Sequence, residues 1–181
     1  MASADDRVIE AAERLVRRAR GAVAEYAGPY SPVRTDQVAA LVAAAGGHVE
    51  VFAFRSGTVA MTLPRCRGVY PILVNRAAER TDRWFALRHE VAHVMAGDAE
   101  AAVFLHDEGF MTHPERTADL FALADLVPGW WIAQQRRGRA PWRAVAAEVV
   151  LAVTAYAGTW PPERLRDRAA LRLRLFRERG I

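Results

Sequence analysis

The chain contains no lysine: all 25 of its basic residues are arginine. It is equally short of cysteine, with Cys66 alone among 181 residues. A lone thiol excludes a disulfide scaffold, and a chain of this length can bury a core without one. An unpaired cysteine fits a reducing compartment, so the expected location is cytoplasmic. The start, "MASADDRVIEAAERL", carries Asp5, Asp6, Glu10 and Glu13 where a targeting leader would be basic and acid-poor, so no leader is expected. Long apolar runs are missing as well. The longest, Ala144 to Gly158, is interrupted by Glu148 and falls short of the roughly 20 residues that span a bilayer, so no membrane contact is expected.

The net charge of +4 conceals an asymmetry. Residues 1–130 hold 14 arginines against 17 acidic residues, whereas residues 131–181 hold 11 against 4. An arginine-rich end can bind nucleic acid, but the total absence of lysine reads as compositional bias, and the plainer expectation is a solvated helix face.

Apolar residues recur at three- and four-residue spacing from Arg7 to about Ala27, which predicts a helix. A second helix is predicted from Thr35 or Asp36 to the Gly46-Gly47 stop. The period then changes. "HVEVFAF", "TVAMTL" and "GVYPILVN", separated by "RSG" and "PRCRG", predict a three-stranded antiparallel meander, with Pro71 confining the third strand to a sheet edge or bulge. Helices follow at about 82–96, 114–126, 141–157 and 161–179, the last with an apolar stripe of Leu165, Ala169, Leu173 and Phe176. "GWWIAQQ", with Trp130 and Trp131, reads as core or a packed corner.

The chemistry concentrates in "FALRHEVAHVMAGD", residues 85–98. Four residues apart on one helix face, His89 and His93 can present two imidazoles to one ion, with Glu90 beside it. Catalytic zinc takes three protein ligands and keeps a position for water. Candidates for the third ligand are Asp98, Glu100, His106, Asp107, Glu108, His113, Glu115 and Asp119.

"HPERTADLFALADLVP" offers the best answer, because Pro114 starts a helix on which Glu115 and Asp119 share a face. Glu115 would ligate the metal, and Asp119 would accept a hydrogen bond from a ligand histidine's other N–H. A competing reading is a capping box, in which Thr112 closes the helix and Glu115 reaches back to the backbone. In the zinc reading Glu90 takes a proton from water and passes it to a leaving amine. Tyr70, Arg88, His106, His113 and Tyr156 are candidates for steadying the oxyanion, and the sequence singles out none. His48 reads as structural, and the 95–114 connection as a flap over the site.

In order and chemistry, "PILVN", "RWFALRHEVAHVMAGD" and "ERTADLFALADLVP" resemble the ImmA/IrrE-type zinc metallopeptidases over about residues 33–128. That pattern is a strand ending in Asn, a Phe-rich approach to HExxH, and a later Glu-x-x-Ala-Asp/Asn-x-Phe-Ala segment ending in Leu-x-Pro. Two departures stand out: Arg88 replaces a small residue before the first histidine, and "FALADLVP" replaces the commoner "FAAELLMP".

The resemblance implies an α+β, zincin-like (gluzincin-like) domain, with the meander packed against the HExxH helix and further helices at both ends. The chain itself shows no repeat, low-complexity linker or boundary that would split it, so one domain, 1–181, is expected, made of N-terminal helices (1–47), meander (48–76), zinc-site helices (81–128) and C-terminal helices (129–181). The resemblance implies His89, His93 and Glu115 as zinc ligands and Glu90 as catalytic base. By the same resemblance the protein is a site-specific endopeptidase that cleaves a helix-turn-helix transcriptional repressor and so releases stress-response or mobile-element genes. A peptide substrate would add as a strand to the edge at "GVYPILVN" or a neighbouring one. The alternatives are a non-cleaving regulator that binds a protein partner or nucleic acid through the basic C-terminal region, and a zinc hydrolase acting on another kind of bond.

Overall fold

The computed structural model describes residues 3–27, 35–55, 57–97, 112–137, 140–157 and 160–181. Helix α1 (Ala4–Ala27) begins at a reciprocal cap, in which the Asp6 N–H donates to Ser3 Oγ and the Ser3 N–H to Asp6 Oδ2. That capping, with Arg174 close by, holds the Asp6 carboxyl down at about 2. Val8, Ala12, Leu15, Ala19 and Val23 form the buried face of α1, as their spacing predicts. Helix α2 (Thr35–Ala44) ends at Gly46, whose φ of +80° turns the chain directly into a strand.

The sheet corrects the sequence reading. Strands β1 (Gly47–Phe52), β2 (Ala60–Thr62) and β3 (Tyr70–Asn75) lie in the order β1-β3-β2, with β3 parallel to β1 and antiparallel to β2. The sheet is therefore mixed rather than an antiparallel meander, and β3 is its centre rather than an edge. Pro71 survives in a central strand because of where it falls. Its carbonyl accepts from the Leu63 N–H (2.8 Å) just past the last residue of β2, while bonding toward β1 starts from the Tyr70 N–H to Gly46 O (2.9 Å). The missing donor thus coincides with the end of the β2 ladder.

Helix α3 (Arg80–Ala96) follows β3 and packs against β2 and β3. It stops one turn after His93 at Gly97, where φ is +83° and the N–H returns to His93 O and Val94 O. Helix α4 (His113–Leu126) lies along α3 and is buried on nearly every side, and α1 covers it. Helices α5 (Gly129–Arg137), α6 (Trp142–Ala157) and α7 (Pro162–Arg179) complete the described elements. The sequence reading missed α5 as a helix; Ile132 is buried in it and Trp131 packs against the core, but Trp130 is 61 % exposed.

The apolar interior falls into two clusters. One gathers α1, α2, the sheet and the facing sides of α3 and α4; the other lies under α5, α6 and α7 and includes Phe85 and Leu123. Both arise where an apolar stripe meets a neighbour's, which is the main stabilising term in such a fold. The described architecture is mixed α+β, with seven helices and a three-stranded sheet. Among the described residues no helix is long and apolar enough to cross a membrane.

The arginines of α7 do not form a uniformly solvated face, although Arg166 is exposed. Arg168 and Arg172 are fully buried on α7, and Arg172 donates to Val127 O (2.8 Å) and Ile181 O (2.6 Å). Arg174 binds Asp6 and Glu178, Arg179 binds Glu13, and Arg177 lies over the Trp142 ring. The acidic excess of the N-terminal part and the basic excess of the C-terminal part are thus in contact.

Candidate metal centre

Helices α3 and α4 bring the predicted ligands together. His89 and His93 lie one turn apart on the buried face of α3, and Glu115 sits in the first turn of α4 opposite them. His89 Nε2 is 3.1 Å from His93 Nε2 and 3.2 Å from Glu115 Oε2, and His93 Nε2 is 3.2 Å from Glu115 Oε1. These three residues can hold a metal ion.

The donor spacing fits the expected ion. Ligand atoms about 2.0 Å from a tetrahedral zinc are about 3.3 Å from one another. The Nδ1 of His89 faces Asp119 Oδ1 at 2.9 Å, so Nδ1 carries a proton and the Nε2 lone pair points into the cluster. Two imidazole nitrogens and a carboxylate oxygen converging at such distances repel unless a cation or a proton lies among them. Without metal, a proton plays that part: burial opposes a charged imidazole, but Asp119 and Glu115 outweigh it and raise His89 to about 10. The same contacts, against burial, hold Glu115 well below the usual carboxylate range and Asp119 at about 2.

The capping-box reading of Glu115 does not hold. Thr112 occupies the cap position with no side-chain cap hydrogen bond, and the Glu115 carboxylate faces the two histidines. Asp119 is where its spacing placed it, one turn on and behind His89. Glu90 is 1 % exposed and, with His89, lines a cleft of about 440 Å³. Residues 57–60 and Phe85, Tyr156, Trp160 and Arg164 complete most of its wall.

Other sequence candidates separate from this centre. Tyr156 lines the cleft, whereas Tyr70 starts β3 and His113 lies exposed in a different groove, beside Leu15 and Met95. His48 is exposed on β1. Asp98, Glu100, His106, Asp107, Glu108 and the middle of the presumed 95–114 flap lie outside the described residues.

Arg88 faces neither solvent nor the ligands. It is 3 % exposed and pairs with Asp125 on α4, and its Nη1 donates to Trp84 O (3.0 Å). Burial pushes the Asp125 carboxyl up, with Arg20 opposing, and the Arg88 guanidinium down, with Tyr156 opposing. Asp125 belongs to "FALADLVP", so the two departures from the resembled pattern are partners.

Residues beyond the predicted ligands and base also support the site. The Asn75 side chain donates to Thr58 O (2.8 Å) and accepts from the Ala77 N–H (3.0 Å), tying the end of β3 to the segment that borders the cleft. Arg164 and Arg168 both donate to Asp119. Their signal was a spacing: Arg164, Arg168 and Arg172 recur every four residues, in step with the buried Ala169, Leu171 and Leu175. Comparison of the chain with protein-family models, with curated proteins and with solved structures gave no match.

Proposed function

We propose that the protein is a zinc-dependent, site-specific endopeptidase of the ImmA/IrrE type with a zincin-like fold, acting in the cytoplasm on a helix-turn-helix repressor. The observation that carries the metal and the reaction is the convergence of His89, His93 and Glu115 with Glu90 on the cleft side and Asp119 behind. Two imidazoles and one carboxylate suit zinc better than magnesium or calcium, which favour all-oxygen sites. The choice of substrate rests on the resemblance in sequence.

Zinc in this site would act as a Lewis acid on the scissile carbonyl and bring the pKa of water toward neutrality. Glu90, beside the ligands and shielded from bulk water, accepts the proton of the attacking water and delivers it to the leaving amine. Asp119 fixes the tautomer and the ring plane of His89. Tyr156 is the described oxyanion candidate best placed to donate, since it lines the same cleft.

The edge suited to an extended peptide is β2, because β3 is central. Val59 O and the Leu63 N–H bond to β3, so the alternation of an antiparallel pair turns the backbone groups of Ala60 and Thr62 outward. Val59 and Ala60 also line the cleft, which joins strand addition to the reacting centre.

Six of the seven arginines of α7 weigh against the alternative of a non-cleaving regulator that docks through its basic end. Arg164, Arg168, Arg172, Arg174, Arg177 and Arg179 all engage groups of their own chain. The test is incubation of the zinc-loaded protein with any helix-turn-helix repressor found encoded near it, followed by mass analysis of the products. One discrete cut by the wild type and none by Glu90→Gln is the expected result; an intact repressor with both proteins would remove the protease reading.

A further inference from the structure

Asp119 is wholly buried, yet a single imidazole N–H is far from enough to satisfy a carboxylate in that setting. The remaining donors come from α7. Arg164 binds both oxygens, from Nη2 to Oδ1 (2.8 Å) and Oδ2 (2.9 Å) and from Nε to Oδ2 (3.1 Å). Arg168, also wholly buried, adds Nε to Oδ2 at 2.8 Å.

The Arg164 guanidinium lies 3.9 Å from the centroid of Trp160. Trp160 in turn meets Phe85 edge-on at 4.8 Å, and the Phe85 ring is 6.1 Å from the ring of His89, one helical turn further along α3. The contacts close a circuit: His89, Asp119, Arg164, Trp160, Phe85 and back to His89. Its polar half holds the His89 ring through Nδ1 and its aromatic half lies beside the ring.

From this circuit we infer that Arg164 is a positioning residue for the metal centre, acting through Asp119 on His89, with Arg168 as the fixed inner support. The inference rests on the metal-centre reading and extends it to α7. A planar guanidinium is suited to the role, because its fork spans both carboxylate oxygens while its face stacks on an indole; an ammonium can do neither as well. Arg164 suits the test better than Arg168, since it is only partly buried near the start of its helix.

The experiment measures zinc retention by competition with a chromophoric chelator, the visible spectrum of the cobalt-substituted protein, and thermal unfolding of the metal-free form. It compares wild type, Arg164→Ala, Arg164→Lys and the exposed neighbour Arg166→Ala. Loss of an outer partner of a metal-bound histidine typically weakens binding about 10- to 100-fold. We expect that loss in Arg164→Ala, a smaller one in Arg164→Lys, an altered cobalt spectrum in both, and wild-type behaviour in Arg166→Ala. Should Arg164→Ala fail to fold, Arg164→Lys carries the comparison. Zinc retention within twofold of wild type and an unchanged cobalt spectrum in Arg164→Lys, and in Arg164→Ala where folded, would overturn the inference and leave the metal centre standing. A wild type that binds neither zinc nor cobalt would overturn the metal centre itself, and the inference with it.

Discussion

Replacing Arg88 by methionine removes one partner of a buried pair while keeping a similar shape. Arg88 is 3 % exposed and Asp125 6 %, and among the described residues Asp125 Oδ1 already has no hydrogen-bond partner. After the change Asp125 can stay ionised in apolar surroundings, at a cost of about 3–5 kcal/mol, or take up a proton. The second route sets a ceiling. Neutralising a carboxyl of ordinary pKa 3.8 at pH 7 costs about 4 kcal/mol, at 1.36 kcal/mol per unit. Arg20, near enough to favour the ionised form, eases the first route.

The expected loss is therefore about 3 kcal/mol at pH 7, a large share of a domain's typical 5–15 kcal/mol. Because the ceiling is a proton-uptake cost, it falls by about 1.4 kcal/mol per unit of pH, so the loss should be at most about 2 kcal/mol at pH 5. Arg88→Met with Asp125→Leu replaces both charges by apolar groups and should recover most of the loss. Urea unfolding of wild type, both single variants and the double variant at pH 7 and pH 5 measures this. Single-variant losses below about 1 kcal/mol at pH 7, or a double variant no better than the sum of the two, would refute the reasoning.

Other outcomes follow from the centre itself. Glu115→Ala should hold far less zinc than wild type by elemental analysis after identical purification; equal zinc would send the third ligand back to Asp98, His106 or Asp119. Glu90→Gln should keep its zinc while losing cleavage by about 10²- to 10⁴-fold, the usual worth of a positioned acid-base group, measured on the repressor substrate. In the metal-free protein, the raised pKa of His89 gives stability that is full below 6.5 and lost as pH rises toward 10. The lowered pKa of Asp119 gives stability that is full above 3.8 and lost as pH falls toward 2. Zinc must displace the His89 proton, so the rise in melting temperature on adding zinc should grow from pH 5 to pH 8; a rise independent of pH would contradict the ligand assignment.

Helices other than α5 were legible because the 3.6-residue period is local, and Glu115 and Asp119 were legible because both fall on one turn of one helix. Strand partners were not. β1, β2 and β3 follow one another with turn-like gaps, and adjacency suggested a meander; the parallel pairing of β1 with β3 depends on how α2 and α3 seat the sheet, which no short window contains. Pro71 misled because a proline's cost depends on which side of the strand loses its donor. Arg168 and Arg172 misled because arginine is rarely buried whole, and what makes it tolerable here are partners up to 49 residues away. Arg88 and Asp125 each looked like an isolated departure until α3 and α4 were seen side by side.

The anchoring of Asp119 by α7 also bears on the order in which the site is built. A growing chain completes the set His89, His93 and Glu115 about 50 residues before Arg168, about 3–10 s earlier at ordinary rates of synthesis of about 5–20 residues per second. Through that interval the ligands exist but the His89 ring lacks its full support, and Arg116, next to Glu115, has only Asp5 and not yet Asp167. Tight metal capture then belongs to the finished molecule, and a chain interrupted before α7 would carry all the ligands and remain a poor competitor for zinc.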